Sequence, residues 1–186
     1  MPGKRRRTGL APTKGEKEMN RATRPFATVL VGLLVAISTL LGNGAAAADD
    51  LDITYEAHVQ TIGWTGWITG PDTAGTTGRS LRLEALRVQA AGVPVVGRGH
   101  VQSLGWQPAH SLYEGDVIGT VGSGLRLEAF ELWIDSPKIA AKYSIQYRAH
   151  VQSIGWQSWA ADGQTAGTTG RGLRVEAVQI RLVSKG

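Results

Sequence analysis

One unit of sequence occurs three times after residue 50, and any fold has to accommodate all three copies. Each copy begins with His-Val-Gln, continues with a Gly-Trp pair, and ends with an Arg-x-Glu-Ala segment. The histidine and the glutamate are 26 residues apart in the first and third copies and 28 apart in the second. Self-similarity of this kind indicates that each copy is one supersecondary unit that packs against its neighbours.

Four chemically distinctive residues recur in every copy. They are His58, Trp64, Arg82 and Glu84 in the first copy, His100, Trp106, Arg126 and Glu128 in the second, and His150, Trp156, Arg174 and Glu176 in the third. A hydrolase needs one site in which the acid and the base have different roles. Three identical constellations therefore point to structure or to multivalent binding.

Within each unit, apolar and polar residues alternate as they do in a half-buried strand. Ile53, Tyr55, Ala57 and Val59 alternate with polar residues, and residues 145–151 repeat the pattern. A glycine next to the tryptophan predicts a bulge or a tight turn, and a short strand is expected around residues 64–68. Because no later stretch has a capped helical period, we expect an all-β domain of about nine to twelve strands.

The three units favour closure with pseudo-threefold symmetry, in a β-trefoil-like or β-prism-like arrangement that the sequence leaves open. Closure removes exposed sheet edges, and one unit alone cannot bury its tryptophans. An open array of three units is the alternative. The repeats are expected at about residues 53–90, 95–134 and 144–183, with a linker at residues 135–143.

The last strand of each unit combines charge with an apolar pattern. In the third copy, Arg174, Glu176 and Val178 are predicted to share one face, and burial of a lone charge is costly. We therefore expect the arginine and glutamate to pair or to hydrogen-bond, with the histidine near the glutamate. Ala177, on the other face, is expected to mark a close approach. The glycines of the loop at residues 75–78 are expected to adopt positive φ or to admit another backbone.

The tryptophans fall into two groups. The tryptophan of the Gly-Trp pair is present in every copy and is predicted to lie in the core. Trp67 and Trp159 occur in the outer copies only, since Ala109 takes this position in the second, so they are predicted to be exposed platforms for a sugar. The alternative is that they seal the end of the domain. The polar residues expected to accompany them are Gln157, Asp162 and Gln164 in the third copy and Asp72 in the first.

The three repeated segments resemble the clostridial hydrophobic repeats with a conserved tryptophan, the ChW family. The motif Tyr-x-Ala-His-Val-Gln-x-Ile-Gly-Trp, then Gly-Thr-Thr-Gly, then Arg-x-Glu-Ala extends over residues 55–85 and again over residues 147–177. The second copy departs from it at Gly97, Ala109 and Val121. The resemblance implies a secreted or surface-displayed bacterial protein that takes part in adhesion or in polysaccharide handling.

The first 48 residues are predicted to be a secretory signal peptide. A basic run at residues 4–7 precedes an uncharged apolar stretch at residues 26–42 and a series of alanines that ends at Ala48. Cleavage is expected near Ala48, and translation could begin at Met19. An uncleaved membrane anchor is the alternative, although the apolar run is short for a span. We expect a secreted protein whose mature domain, residues 49–186, is not embedded in a membrane.

Removal of this leader changes the charge of the chain. Residues 1–48 hold eight of the 20 Lys and Arg residues and two of the 15 Asp and Glu residues, which leaves twelve and thirteen, a net charge of −1. No basic footprint for nucleic acid or anionic lipid remains. The chain has no cysteine, so thiol catalysis, thiolate metal sites and disulfides are excluded.

No motif for catalysis, metal binding or a cofactor stands out, and we expect neither an enzyme nor a metalloprotein. Two classes of function remain. The first is a non-catalytic module that binds carbohydrate or cell-wall polysaccharide, with two competent sites and one degenerate site. The second is a structural or adhesive surface protein that contacts protein partners. An exposed apolar patch would favour the second class, and clefts lined by tryptophan and polar residues would favour the first.

Overall fold

The structure, a computed structural model, describes residues 51–186, and the predicted signal peptide lies outside the described residues. The described residues belong to one compact unit, with fifteen strands in three five-stranded sheets and one short helix. This confirms the all-β fold built from three repeats. The strands outnumber the expected nine to twelve because nine of them have only two residues, too few for alternation to show. Among residues 51–186, no helix has the length and apolar character needed to cross a membrane.

The first sheet is built on two long antiparallel strands, β1 (Ile53–Val59) and β5 (Leu83–Ala90). Two short strands, β2 (Gly63–Trp64) and β3 (Ile68–Thr69), both fold back onto β1. The single short strand expected here is therefore two pieces. A further short strand, β4 (Ala74–Gly75), leaves this sheet and pairs elsewhere.

The second sheet repeats this plan. Its long strands are β6 (Val95–Val101) and β10 (Leu127–Ile134), and its short strands are β7 (Gly105–Trp106), β8 (His110–Ser111) and β9 (Ile118–Gly119). Both β7 and β8 pair with β6, as β2 and β3 do with β1. The two extra residues of this copy therefore lie between β8 and β9.

The third sheet follows a one-turn helix, α1 (Pro137–Ala140), which lies within the predicted linker. Proline suits the first turn of a helix because its missing N–H would have no partner there. The strands of this sheet are β11 (Tyr143–Val151), β12 (Gly155–Trp156), β13 (Ala160–Ala161), β14 (Ala166–Gly167) and β15 (Val175–Ser184). Their pairing matches that of the first two sheets.

The three sheets are joined by an exchange of short strands. Strand β9 of the second repeat pairs with β5 of the first, β14 of the third pairs with β10 of the second, and β4 of the first pairs with β15 of the third. The exchange is cyclic, since each repeat gives one short strand to a sheet of another repeat. The sheets stay separate, and residues 51–186 form no closed barrel.

Each exchanged strand depends on a glycine that lies against an alanine. Gly75, whose φ is +108°, faces Ala177, and a Cβ added to this glycine would lie 2.8 Å from the alanine Cα. Gly119 and Gly167 make the same approach to Ala85 and Ala129. The predicted close approach at the alanines, and the predicted role of the loop glycines, are both confirmed.

The last long strand of each repeat contains a β-bulge. In the first repeat His58 pairs with Ala85 while the next residue of β1 pairs with Leu83, so Glu84 has no partner on β1. Leu83 and Leu86 both lie in the core, three positions apart instead of two. The prediction that arginine and glutamate share the apolar face of this strand is wrong, because the bulge shifts the alternation by one residue. The same shift occurs in the other two repeats.

Two buried tyrosines tie neighbouring repeats together. The Tyr55 hydroxyl, in the first repeat, donates to the Asp72 carbonyl and accepts a hydrogen bond from the Ile180 N–H of the third repeat at 3.1 Å. The Tyr147 hydroxyl, in the third repeat, accepts one from the Leu132 N–H of the second at 3.0 Å. Each ring is fully buried and satisfies a main-chain group of the adjacent sheet.

The second repeat replaces this tyrosine with Gly97 and fills the space differently. Ile118 takes the place that alanine has in the other two copies, at Ala74 and Ala166. A Cβ added to Gly97 would lie 2.8 Å from the Ile118 Cδ1 atom. The isoleucine thus occupies the room left by the missing ring, and the core stays close-packed.

We expect the domain to lose stability in alkaline solution through these tyrosines. Burial raises the pKa of Tyr55 and of Tyr147 to about 12, against about 10 in an unfolded chain. The folded state favours the neutral phenol, so this contribution to the free energy of unfolding is complete below about pH 10. It is lost as the pH rises to about 12. Urea unfolding of residues 49–186 between pH 9 and pH 12 measures this loss. The Tyr55→Phe, Tyr147→Phe double variant should lose less stability over that range, and parallel curves for the two proteins would contradict the assignment.

Candidate functional site

A histidine, a glutamate and an arginine meet on each sheet. In the first repeat the Nδ1 atom of His58 lies 3.2 Å from Oε2 of Glu84. The other carboxylate oxygen accepts hydrogen bonds from Nε and Nη2 of Arg82 at 3.0 and 2.7 Å. The same triad forms from His100, Glu128 and Arg126, and from His150, Glu176 and Arg174, with histidine contacts of 3.1 Å. The expectation that the histidine lies near the glutamate is confirmed.

The triads are suited to holding the bulge in place. The three glutamates are only 5–6% exposed, and the arginine neutralises each of them. The histidine Nδ1 atom is buried at ion-pair distance from the carboxylate but without the alignment of a hydrogen bond. In residues 51–186 no group of three or more histidine, cysteine, aspartate or glutamate side chains is placed to hold a metal ion.

The tryptophan of the Gly-Trp pair lies beside this triad and is only half buried. His58 and Trp64 are directly opposite each other in β1 and β2, with ring centroids 5.2 Å apart and planes at 78°. Directly opposed residues of antiparallel strands point to the same face. The prediction that these tryptophans belong to the core is wrong, because each follows its histidine to the face turned away from the core. We call that face of each sheet the outer face. The equivalent pairs are His100 with Trp106 and His150 with Trp156.

An arginine lies over each of these tryptophans. The guanidinium carbon of Arg87 is 4.1 Å from the Trp64 ring centroid, that of Arg98 is 4.7 Å from Trp106, and that of Arg148 is 5.0 Å from Trp156. These are cation–π distances. The repeat pattern does not reveal these arginines, because they occupy different positions in the repeat. Arg87 lies on the last long strand, whereas the other two lie on the first long strand.

The arginine and its glutamate partner exchange strands between the first and second sheets. Arg87 pairs with Glu56 across the first sheet at 3.1 Å, and Arg98 pairs with Glu131 across the second at 2.7 Å. In the first sheet the arginine is on the last long strand and the glutamate on the first, and in the second sheet this order is reversed. A search for complementary charges two residues before each histidine and three residues after each glutamate would have found both pairs. In the third sheet Nε of Arg148 donates instead to the Gln179 amide oxygen at 2.8 Å.

The second class of tryptophan differs between the outer repeats. Trp67 is 43% exposed, and Trp159 is half buried beside two arginines. The Trp159 ring centroid lies 4.1 Å from the guanidinium carbon of Arg181 and 4.8 Å from that of Arg148. Arg181 in turn donates to the Gln146 amide oxygen at 3.0 and 2.7 Å. The Trp67 ring is therefore exposed to solvent, whereas the Trp159 ring packs against two guanidinium groups.

Trp159 also borders a cleft of about 470 Å³. This cleft brings together three residues predicted as ligand contacts, Gln157, Trp159 and Gln164. The remaining lining residues are Ser158, Ala160 and Thr165. Apart from the ring and one alanine, the wall therefore consists of hydroxyl and amide side chains.

The structure gives several of the predicted polar residues partners within the fold. Both ends of the Gln157 amide bond to the main chain of Gly167, at 2.6 and 3.0 Å. The Asp162 carboxylate accepts hydrogen bonds from the Ser144 hydroxyl and the Ile145 N–H, outside the lining of the cleft. Asp72 is exposed beside β4, five residues after Trp67. Gln164 lies both at the cleft and at the surface, and its amide oxygen accepts a hydrogen bond from the Ala161 N–H at 3.1 Å.

The family to which these repeats correspond is identified by comparison of the sequence. A family model described as Clostridial hydrophobic W matches the chain three times, at residues 58–92, 100–135 and 150–184, which together exceed half of its length. Neither a curated protein nor a solved structure matches the chain.

Proposed function

The chain belongs to the Clostridial hydrophobic W family, with three tandem copies, and from that premise we propose that residues 49–186 are a secreted, non-catalytic module that binds carbohydrate or cell-wall polysaccharide. The observation that carries the proposal is the cleft beside Trp159. The indole ring offers a sugar ring an apolar face, and the exposed side chains of Ser158 and Gln164 beside it offer hydrogen bonds.

The module has two competent sites and one degenerate site. Trp67, at the equivalent position of the first repeat, is 43% exposed and available for stacking. Ala109 takes this position in the second repeat and offers no ring. Two weak sites on one rigid domain gain strength by avidity on a polymer, because the second contact is intramolecular once the first has formed.

The test is retention of residues 49–186 on a panel of insoluble polysaccharides and isolated cell wall. We expect Trp159→Ala and Trp67→Ala each to reduce retention about tenfold or more, because avidity multiplies the loss of one site. The matched gain-of-function variant is Ala109→Trp, which supplies the ring that the second repeat lacks and should increase retention.

Two controls make the result decisive. Circular dichroism and thermal unfolding establish that each variant is folded. Leu104→Ala removes an exposed apolar side chain in the second repeat, which has Ala109 in place of the ring, and should leave retention unchanged. No retention on any polymer, or equal retention of both tryptophan variants and the parent, would overturn carbohydrate binding.

A second function has one observation in its favour. The turn after the first long strand of each repeat exposes an apolar side chain at the same place: Ile62 at 43%, Leu104 at 59% and Ile154 at 43%. Such residues suit contact with a protein partner, as in an adhesive surface protein. If the triple variant with serine at these positions loses attachment to whole cells while polysaccharide retention persists, the domain also contacts proteins.

A further inference from the structure

The outer face of the third sheet differs from the other two in charge. Arg87 and Arg98 each have a carboxylate partner across the sheet, Glu56 and Glu131. The equivalent partner of Arg148 is the neutral Gln179. Within residues 51–186, neither Arg148 nor Arg181 lies within ion-pair distance of a carboxylate, so neither charge is neutralised by an ion pair.

Aromatic rings and amides hold these two arginines in place. The guanidinium carbon of Arg148 lies 5.0 Å from the Trp156 ring centroid and 4.8 Å from that of Trp159, and the guanidinium carbon of Arg181 lies 4.1 Å from that of Trp159. Each guanidinium also donates to one glutamine across the sheet. Stacking and a single amide contact orient the planar groups while leaving further N–H donors of Arg148 without a protein acceptor in the described structure.

The cation–π contact between arginine and tryptophan also forms where the arginine has a glutamate partner. Trp64 with Arg87, and Trp106 with Arg98, form the same cation–π contact while the arginine is also paired to glutamate. Glutamine in place of glutamate therefore changes the charge of the face and leaves the packing plan as it is. The change is local, since residues 49–186 as a whole carry a net charge of −1.

We propose that the outer face of the third sheet binds the anionic groups of an acidic polysaccharide, through Arg148 and Arg181. This inference rests on the proposed carbohydrate-binding function and names the class of glycan. Guanidinium groups form paired, charge-assisted hydrogen bonds to carboxylate and to phosphate oxygens, and the tryptophans beside them can pack on the sugar. A carboxylate on a uronic acid and a phosphodiester between sugars or polyols share this chemistry.

The experiment is affinity electrophoresis of residues 49–186 in gels that contain one of three polymers: polygalacturonate, its methyl ester, and a poly(glycerol phosphate). We expect one or both charged polymers to bind at least tenfold more tightly than the neutral ester, with an advantage that shrinks as salt is raised from 50 to 500 mM. Tighter binding to polygalacturonate assigns the carboxylate as the source of the charge, and tighter binding to the phosphate polymer assigns the phosphodiester.

The main variant is Gln179→Glu, which copies the acid found in the other two repeats. The new carboxylate should pair with Arg148. Gln179 donates a hydrogen bond to the Thr73 hydroxyl, and a glutamate at this position can accept one from the same hydroxyl, so the variant should fold normally. We expect it to weaken binding to the charged polymers about tenfold and to leave binding to the neutral ester unchanged. Arg181→Gln should have a similar effect through the second guanidinium.

The reciprocal variant is Glu131→Gln, which removes the acid beside Arg98 and gives the second sheet one unpaired arginine. It should strengthen binding to the charged polymers several-fold. Equal binding of charged and neutral polymers, or no effect of Gln179→Glu, would overturn this inference while Trp159-dependent retention on neutral glycans still supported the proposed function. Failure of these three polymers, together with no retention on the insoluble polysaccharides and cell wall, would overturn both.

Discussion

Replacing Gly167 with alanine is expected to lower the free energy of unfolding of residues 49–186 by about 3 kcal/mol or more. The φ of this residue is +101°, a region that L side chains rarely adopt. The added Cβ would also lie 2.6 Å from the Ala129 Cα atom and would touch the Glu128 carbonyl, both parts of a neighbouring strand that cannot move away as a flexible side chain could. Strand β14 would have to withdraw from β10, which opens the ring of exchanged strands between the second and third repeats.

Chemical denaturation at pH 7 measures this loss, with Gly170→Ala as the matched control. Gly170 has a similarly positive φ of +68° but no atom within 4 Å of an added Cβ. Its replacement should therefore cost only the backbone term, about 1 kcal/mol. If the two variants lose equal stability, the close approach of strands contributes nothing beyond backbone conformation, and the exchanged strands do not depend on these glycines.

Replacing Glu176 with alanine is expected to lower the free energy of unfolding by about 2–3 kcal/mol. The carboxylate is 6% exposed and accepts two hydrogen bonds from Arg174 while it lies 3.1 Å from the His150 ring. Its removal leaves the guanidinium without its partner at a position where water has limited access. The bulge in β15 also loses the group that holds the arginine side chain over it. The expected loss is below that of a fully buried pair because the Arg174 side chain is 20% exposed.

The control for this prediction is an ion pair of the same charges at the surface. Lys185 and Asp162 lie 3.4 Å apart, and both side chains are 41% exposed. Exposed pairs contribute about 0–1 kcal/mol, so Lys185→Ala should change the free energy of unfolding by less than about 1 kcal/mol. A Glu176→Ala protein as stable as the Lys185→Ala protein would show that the triads are not what stabilises the bulge.

Much of the architecture could be predicted because the repeat restricts it strongly. The triplicated motif and the two-residue alternation around Tyr55 and Tyr147 predict three β-units, and the structure confirms three sheets. The recurrence of Gly75 and its counterparts, and of the alanine in Arg-x-Glu-Ala, indicates a close contact between backbones. The partner could not be predicted, because each loop packs on a different repeat from its own.

The two errors about faces have separate causes. Strict alternation places Glu84 with Leu86 on the apolar face, whereas one extra residue in the strand moves the glutamate to the outer face with His58. The tryptophan of the Gly-Trp pair lies on the outer face because it pairs directly with His58 on β1, a pairing that the sequence did not predict. An apolar ring predicted for the core is instead half exposed, beside an arginine.

The sequence by itself determined the number of units, their β character, and which residues recur, because periodicity and glycine positions act through local backbone geometry. Only the tertiary structure decided which repeat each short strand joins, which face the charged residues occupy, and how the arginines are paired. Glu56 with Arg87 and Glu131 with Arg98 exchange positions between strands, while Gln179 leaves Arg148 without an acid. These pairings are made across a sheet between residues about thirty positions apart, and charge acts through space and not along the chain.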